Sequence, residues 1–134
     1  MRVFVDSNIP MYVAGREHPN RERARRFMDA AQAGDFEACT STEVLQEILY
    51  RYSALGRLDL AGSVYDFFVA LVPVVFDVTL ADTDLAKELL AVTGGVSARD
   101  CVHGAVMINN GVETIATFDR GFDRLGRLVR LDLS

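Results

Sequence analysis

Short apolar runs alternate with longer stretches of helical periodicity along the whole chain. The first run, RVFV at 2–5, is β-branched and aromatic and stops at Asp6-Ser7-Asn8, a strand entering a polar turn. Pro10 suits the first turn of a short helix over 9–14. After Gly15, residues 20–33 are rich in Arg and Ala with Phe27 and Met28 among them, an exposed amphipathic helix ended by Gly34. FEAC at 36–39 makes a second short strand. Over 41–55, Val44, Leu45, Ile48, Leu49, Tyr52 and Leu55 form a stripe at helical spacing, which Gly56 stops. A further helix covers 58–71.

PVVFDV at 73–78 is a strand, and Thr79 with Asp82 forms a capping box for a helix over 80–92. Residues 98–109 are apolar nearly all round, as a buried helix would be. ETIATFD at 113–119 is a strand ending in an acid, and RLVRLDL at 127–133 is the last strand. Strands alternating with helices predict an α/β fold, a mostly parallel sheet with helices on both faces. Ligands of such sheets bind beyond the carboxyl ends of the strands, near the switch in strand order. Asp6 and Asp119 both stand at such ends.

Composition narrows the class. The chain has 134 residues, 50% hydrophobic and 25% charged, with neither repeat nor linker, so a single domain over 1–134 is expected. No apolar run reaches the roughly 18 residues a membrane span needs, and the start lacks a signal-peptide pattern. Cys39 and Cys101 stand far apart with no CxxC pair, which predicts reduced thiols in a cytoplasmic protein.

A net charge of −5 argues against a coat that binds nucleic acid by bulk positive charge. Yet every base except Lys87 is Arg, and Arg16, Arg21, Arg23, Arg25 and Arg26 crowd one segment. Arg presents a planar fork suited to phosphate, although biased genomic composition produces the same preference.

The acids carry the candidate chemistry. Asp6 could cap a helix, but Ser7 and Asn8 could do so equally well, which leaves Asp6 free for function. Glu43 and Glu47 lie four apart on one helix. Thr40-Ser-Thr-Glu43 scans as a capping box, whereas Glu47 flanks the apolar stripe beside Val44 and is preferred as the site acid. Asp100 opens the apolar helix, where Ser97 makes a second box, so capping and ligation both stand; Gly104, one turn on, suggests open space over that face. Asp119 and Asp123 are again four apart, with the Thr117 hydroxyl just upstream. His18 and His103 form no zinc spacing, and His103 reads as a packing residue. Two carboxylates about 5 Å apart repel by roughly 3 kcal/mol at an effective dielectric near 20. A gathered set of such acids therefore calls for a hard cation, Mg²⁺ or Mn²⁺, which also takes phosphate oxygens.

The order Asp6-Ser-Asn, Glu47, Arg99-Asp100-x-x-His103 and Thr117-Phe-Asp119-x-x-Phe122 resembles the PIN domain, and more narrowly the VapC toxins of toxin–antitoxin pairs. The resemblance spans essentially the whole chain. It implies an α/β/α sandwich and a Mg²⁺- or Mn²⁺-dependent endoribonuclease whose acidic metal site is Asp6, Glu47, Asp100 and Asp119. Asn8 and Thr117 match its supporting polar positions, and Asp123 is a possible additional acid. It also implies a homodimer neutralised by a small cognate antitoxin, and hydrolysis of RNA to a 3′-hydroxyl and a 5′-phosphate. Arg16, Arg21, Arg25 and Arg99 are candidate contacts to RNA or antitoxin, or parts of a solvated face.

Rival functions are partly excluded. An aspartyl-phosphate phosphatase wants an acid two residues after the first, where Asn8 stands; a receiver domain wants a late strand-end Lys, but Lys87 lies mid-helix. No phosphate-cradling glycine motif occurs. A DNA-directed nuclease of the same fold, and a non-catalytic module whose acids anchor a partner's Arg, stay as alternatives.

Overall fold

The computed structural model describes all 134 residues. Its elements run β1 (Arg2–Val5), α1 (Asn8–Ala14), α2 (Pro19–Gln32), β2 (Glu37–Ser41), α3 (Thr42–Ala54), α4 (Leu58–Leu71), β3 (Val74–Phe76), α5 (Leu80–Val92), α6 (Ala98–Asn109), β4 (Thr114–Ala116), a 3-10 turn (Arg120–Arg124) and β5 (Val129–Arg130). The five strands form one sheet in the order β3-β2-β1-β4-β5, and every pairing is parallel.

Each helix and strand expected from periodicity is present, but several bounds move. β3, β4 and β5 are shorter than their apolar runs. A parallel strand persists only where a neighbour offers hydrogen bonds, and β3 and β5 are edges. Strand β2 instead runs later, because Thr40 and Ser41 pair with Val75 and Phe76 and the Thr40 hydroxyl donates to the Val5 carbonyl at 2.9 Å. The cap of α3 is consequently Ser41, which accepts from the Val44 amide at 3.5 Å, so the box expected at Thr40 and Glu43 does not form. The box at Thr79 and Asp82 does form, with both reciprocal hydrogen bonds.

Parallel strands are joined by right-handed crossovers. The chain steps from β1 to β2 to β3 in one direction and then jumps back past β1 to β4. That reversal puts α1–α4 on one face and α5–α6 on the other. The central strand β1 is covered on both sides, and Val3, Phe4 and Val5 are fully buried. Phe4 faces α6, its ring centroid 5.9 Å from that of His103. Asp6, two residues on, projects to the same face beyond the end of the strand. Gly104 does not open space as expected: a Cβ there would lie 2.9 Å from Leu125 Cδ1 and 3.4 Å from Leu128 Cδ1. Its missing side chain instead lets two core leucines close against α6.

Candidate active site

The change of direction in the sheet falls between β1 and β4, and the first acids meet there. The Asp6 amide donates to the Ala116 carbonyl at 3.1 Å, extending the ladder one residue beyond the strands. Asp6 Oδ1 then accepts from the Ser7 amide at 2.7 Å, and Oδ2 from the Thr117 hydroxyl at 2.8 Å. Thr117 Oγ1 also accepts from Asn8 Nδ2 and from the Asp119 amide, each at 3.0 Å. One hydroxyl therefore fixes Asp6, Asn8 and the backbone of Asp119 together. Asp119 Oδ1 accepts from the Gly121 amide at 2.8 Å, starting the 3-10 turn. Ser7 caps α1 without a side-chain hydrogen bond, so the Asp6 carboxylate is not used as a helix cap.

Of the two acids on α3, Glu47 reaches the cleft. It is buried on α3 and lines the same cleft as Asp6, whereas Glu43 does not and pairs with Arg99 at 3.3 Å. Glu47 Oε2 receives Arg51 at 3.1 Å and lies 3.7 Å from Arg99 Nη1. Its other oxygen faces His103 Nε2 at 3.4 Å. Burial pushes this carboxyl up, but His103, the Ser7 hydroxyl and Arg51 together outweigh burial and hold it down at about 2.

His103 is where periodicity saw only half the role. Its ring is wholly buried between Phe4 and Phe122, as a packing residue should be. Its Nε2, however, points at Glu47 and lies 3.9 Å from Asp6 Oδ1, while Nδ1 has no hydrogen-bond partner. Burial disfavours its charge, yet Glu47, Asp6 and Asp100 win and raise its pKa above the ordinary imidazole value. The signals in the sequence are its position one turn after Asp100 and its place in the Arg99-Asp100-x-x-His103 motif of the resemblance.

Asp100 completes the group. Ser97 caps α6 through the Asp100 amide at 3.1 Å, which leaves the Asp100 side chain to line the cleft. Burial first, then the neighbouring Asp6 and Asp119 carboxylates, push its pKa up to about 6. Burial likewise raises Asp6. Asp6, Glu47, Asp100 and Asp119 thus line one open cleft of about 900 Å³. The donor set fits a hard divalent cation. It offers carboxylate oxygens with spare lone pairs, and burial raises two of its acids above the usual carboxylate range.

The remaining candidates divide. Arg16 and Arg99 line the cleft. Arg99 also lies over the Tyr50 ring, 5.4 Å from its centroid. Arg21 and Arg25 belong to α2 outside the cleft, Arg25 being 3.9 Å from Glu22. Asp123 does not reach the acids: it is exposed and holds Arg130 at 3.1 Å. Residues four apart share a face of an α-helix, but the segment after Asp119 winds as a 3-10 turn with about three residues per turn, which sends Asp123 elsewhere. No helix is long and apolar enough to cross a membrane.

Known proteins share both the sequence and the architecture. The family profile of the PIN domain matches residues 3–128. Ribonuclease VapC13 of Mycobacterium tuberculosis is 37% identical over 129 residues, which is 96% of this chain and 98% of that protein. The crystal structure of M. tuberculosis VapC20, a sarcin-ricin loop cleaving toxin, superposes with a TM-score of 0.77 at 22% identity, covering 92% of this chain and 95% of that one. VapBC2 from Rickettsia felis, bound to a DNA fragment from its promoter, gives a TM-score of 0.76 at 19% identity over 98% of both chains. With a matching profile over nearly its whole length and a relative of this identity, the chain belongs to the PIN domain family.

Proposed function

We propose that the chain is a metal-dependent endoribonuclease acting as the toxin of a toxin–antitoxin pair, with Mg²⁺ as its ion and Mn²⁺ able to substitute. The observation that carries this reading is the convergence of Asp6, Glu47, Asp100 and Asp119 in one cleft at the switch in strand order. RNA as the substrate is supported by the ribonuclease name of VapC13 and by VapC20. An antitoxin partner is supported by the VapBC complexes among its structural neighbours. The unit that acts is residues 1–134, as a homodimer in the cytoplasm that its antitoxin captures.

In this reading Asp6, Glu47, Asp100 and Asp119 would hold the cation, with ligand atoms of Asp6, Glu47 and His103 already within 4.8 Å of one another. A bound divalent ion would supply charge for the phosphate and an activated water. The protein's work is placement. Thr117 and the Ser7 amide fix the two oxygens of Asp6. Arg51 and His103 hold Glu47 ionised and oriented. Asp100 would serve as a ligand in its ionised form, and Arg16 at the cleft wall offers a charge to the RNA backbone. The products are a 3′-hydroxyl and a 5′-phosphate.

The test is cleavage of RNA and of single-stranded DNA, with and without Mg²⁺ or Mn²⁺, by the wild type and Asp6→Asn. Metal-dependent RNA cleavage that vanishes in the variant is expected. Cleavage of DNA alone would move the substrate to DNA, and loss of neither metal response nor cleavage in Asp6→Asn would sink the site assignment.

A further inference from the structure

The wall of the cleft opposite α6 carries an aromatic pair that acid chemistry does not need. Tyr12, Arg16 and His18 line the same cleft as the acids. The Tyr12 and His18 rings lie 5.1 Å apart and are tilted by 32°, and Tyr12 meets the edge of Phe118 at 5.2 Å. Phe118 stands between Thr117 and Asp119, so the pair is braced directly on the segment that carries two site residues.

His18 is tied to the backbone of the next helix. It is the cap of α2, and its Nδ1 accepts from the Asn20 amide at 3.0 Å. Accepting at Nδ1 leaves the proton on Nε2, which makes no hydrogen bond within the chain. Capping alone gives no reason for an imidazole, since Asn, Asp or Ser caps a helix better. Nor does the core explain it, because His18 is exposed while Tyr12 already covers the apolar residues beneath. What the ring adds is a second flat surface beyond Tyr12, tilted 32° against it, with a donor at its edge. Beside it, Arg16 is exposed and has no ion pair, whereas Arg51 and Arg99 are engaged by Glu47 and Glu43.

We propose that the outer face of His18, backed by Tyr12, stacks an unpaired nucleobase next to the reacting phosphodiester, while Arg16 takes an adjoining phosphate. This rests on the nuclease reading and specifies its substrate further as single-stranded RNA at this subsite. A base can stack on a protein ring only when it is splayed from its own helix. Stacking on the pair tolerates any base, so it positions the strand, and the Nε2 donor favours bases or riboses with an acceptor at that edge.

The experiment measures binding to Asp6→Asn in Mg²⁺ by fluorescence anisotropy, using an octamer of adenylate and an abasic ribose-phosphate octamer. The adenylate strand should bind roughly tenfold or more tightly than the abasic one. Adding His18→Asn, which keeps a capping oxygen and the melting temperature, should shrink that preference to about twofold; His18→Phe should retain it. Arg16→Gln should weaken both strands alike and flatten the dependence on salt. Equal binding of both strands, no binding of either, or an undiminished preference in His18→Asn would overturn the proposal. Wild-type protein that cleaves RNA while these arms fail leaves the nuclease reading intact, and absent metal-dependent cleavage fails that reading separately.

Discussion

The Thr117 hydroxyl donates to Asp6 Oδ2 at 2.8 Å, joining the ends of two adjacent parallel strands whose residues are 111 positions apart. The same oxygen accepts from Asn8 and from the Asp119 amide. Replacing it with an isosteric methyl, Thr117→Val, removes three hydrogen bonds without changing volume. Metal affinity should fall roughly 10- to 100-fold, as it does when groups supporting a ligand are lost. Isothermal titration with Mn²⁺ reads this directly, and unchanged affinity would show that Asp6 needs no such support.

Asp6→Asn should raise the melting temperature of the protein in EDTA while abolishing RNA cleavage. The carboxylate is buried and sits above its ordinary pKa, so the metal-free fold gains when the charge is removed. A calorimetric melt with and without Mg²⁺ checks both halves: the variant should also lose the stabilisation that metal gives the wild type.

Glu47→Gln should lower cleavage at least about tenfold more than Glu43→Gln, because only Glu47 lines the cleft and touches His103. Single-turnover rates on one RNA substrate decide it. Equal losses would mean that the Arg99 pair held by Glu43 matters as much as the buried acid.

Stability without metal should pass through a maximum near pH 5. Asp100 has its folded pKa at about 6, above its unfolded value, so the folded state binds this proton more tightly and gains stability as pH falls through 6. His103, also raised, acts with the same sign. Glu47 is held down at about 2, so its contribution is present above its unfolded pKa and is lost as pH falls below about 4.5. Mg²⁺ should reverse the first trend, since a ligand must be ionised and affinity drops as Asp100 protonates. Melting temperatures from pH 8 to 3 in EDTA and in Mg²⁺ measure this, and a steady decline from pH 8 to 5 in EDTA would contradict it.

Much of the site was legible because strand ends and helix flanks are periodic features. RVFV stopping at Asp6 located the first acid, and the position of Glu47 beside Val44 separated it from Glu43. What periodicity could not carry was local winding and register. The four-residue spacing puts Asp123 beside Asp119 only on an α-helix, and the 3-10 pitch there carries it to Arg130 instead. The cap at Ser41 shifted because β2 recruited Thr40 through a hydrogen bond to a strand distant in sequence. His103 was read as core because its burial is a matter of neighbours along the helix, while its contact with Glu47 spans 56 positions.

The pairing of β1 with β4 also fixes when in the life of the chain the site can exist. Asp6 follows the first strand, but Thr117 and Asp119 follow the fourth, and the crossover between them must close almost the whole length of the polypeptide. Such long-range closure comes late in folding because its entropy cost precedes any reward. A growing chain that has emerged only through α5 holds Asp6 and Glu47 but lacks Asp100, Asp119 and the strand that orients the first acid. The four acids are therefore brought into one cleft only when β4 docks beside β1, after nearly the whole chain is made.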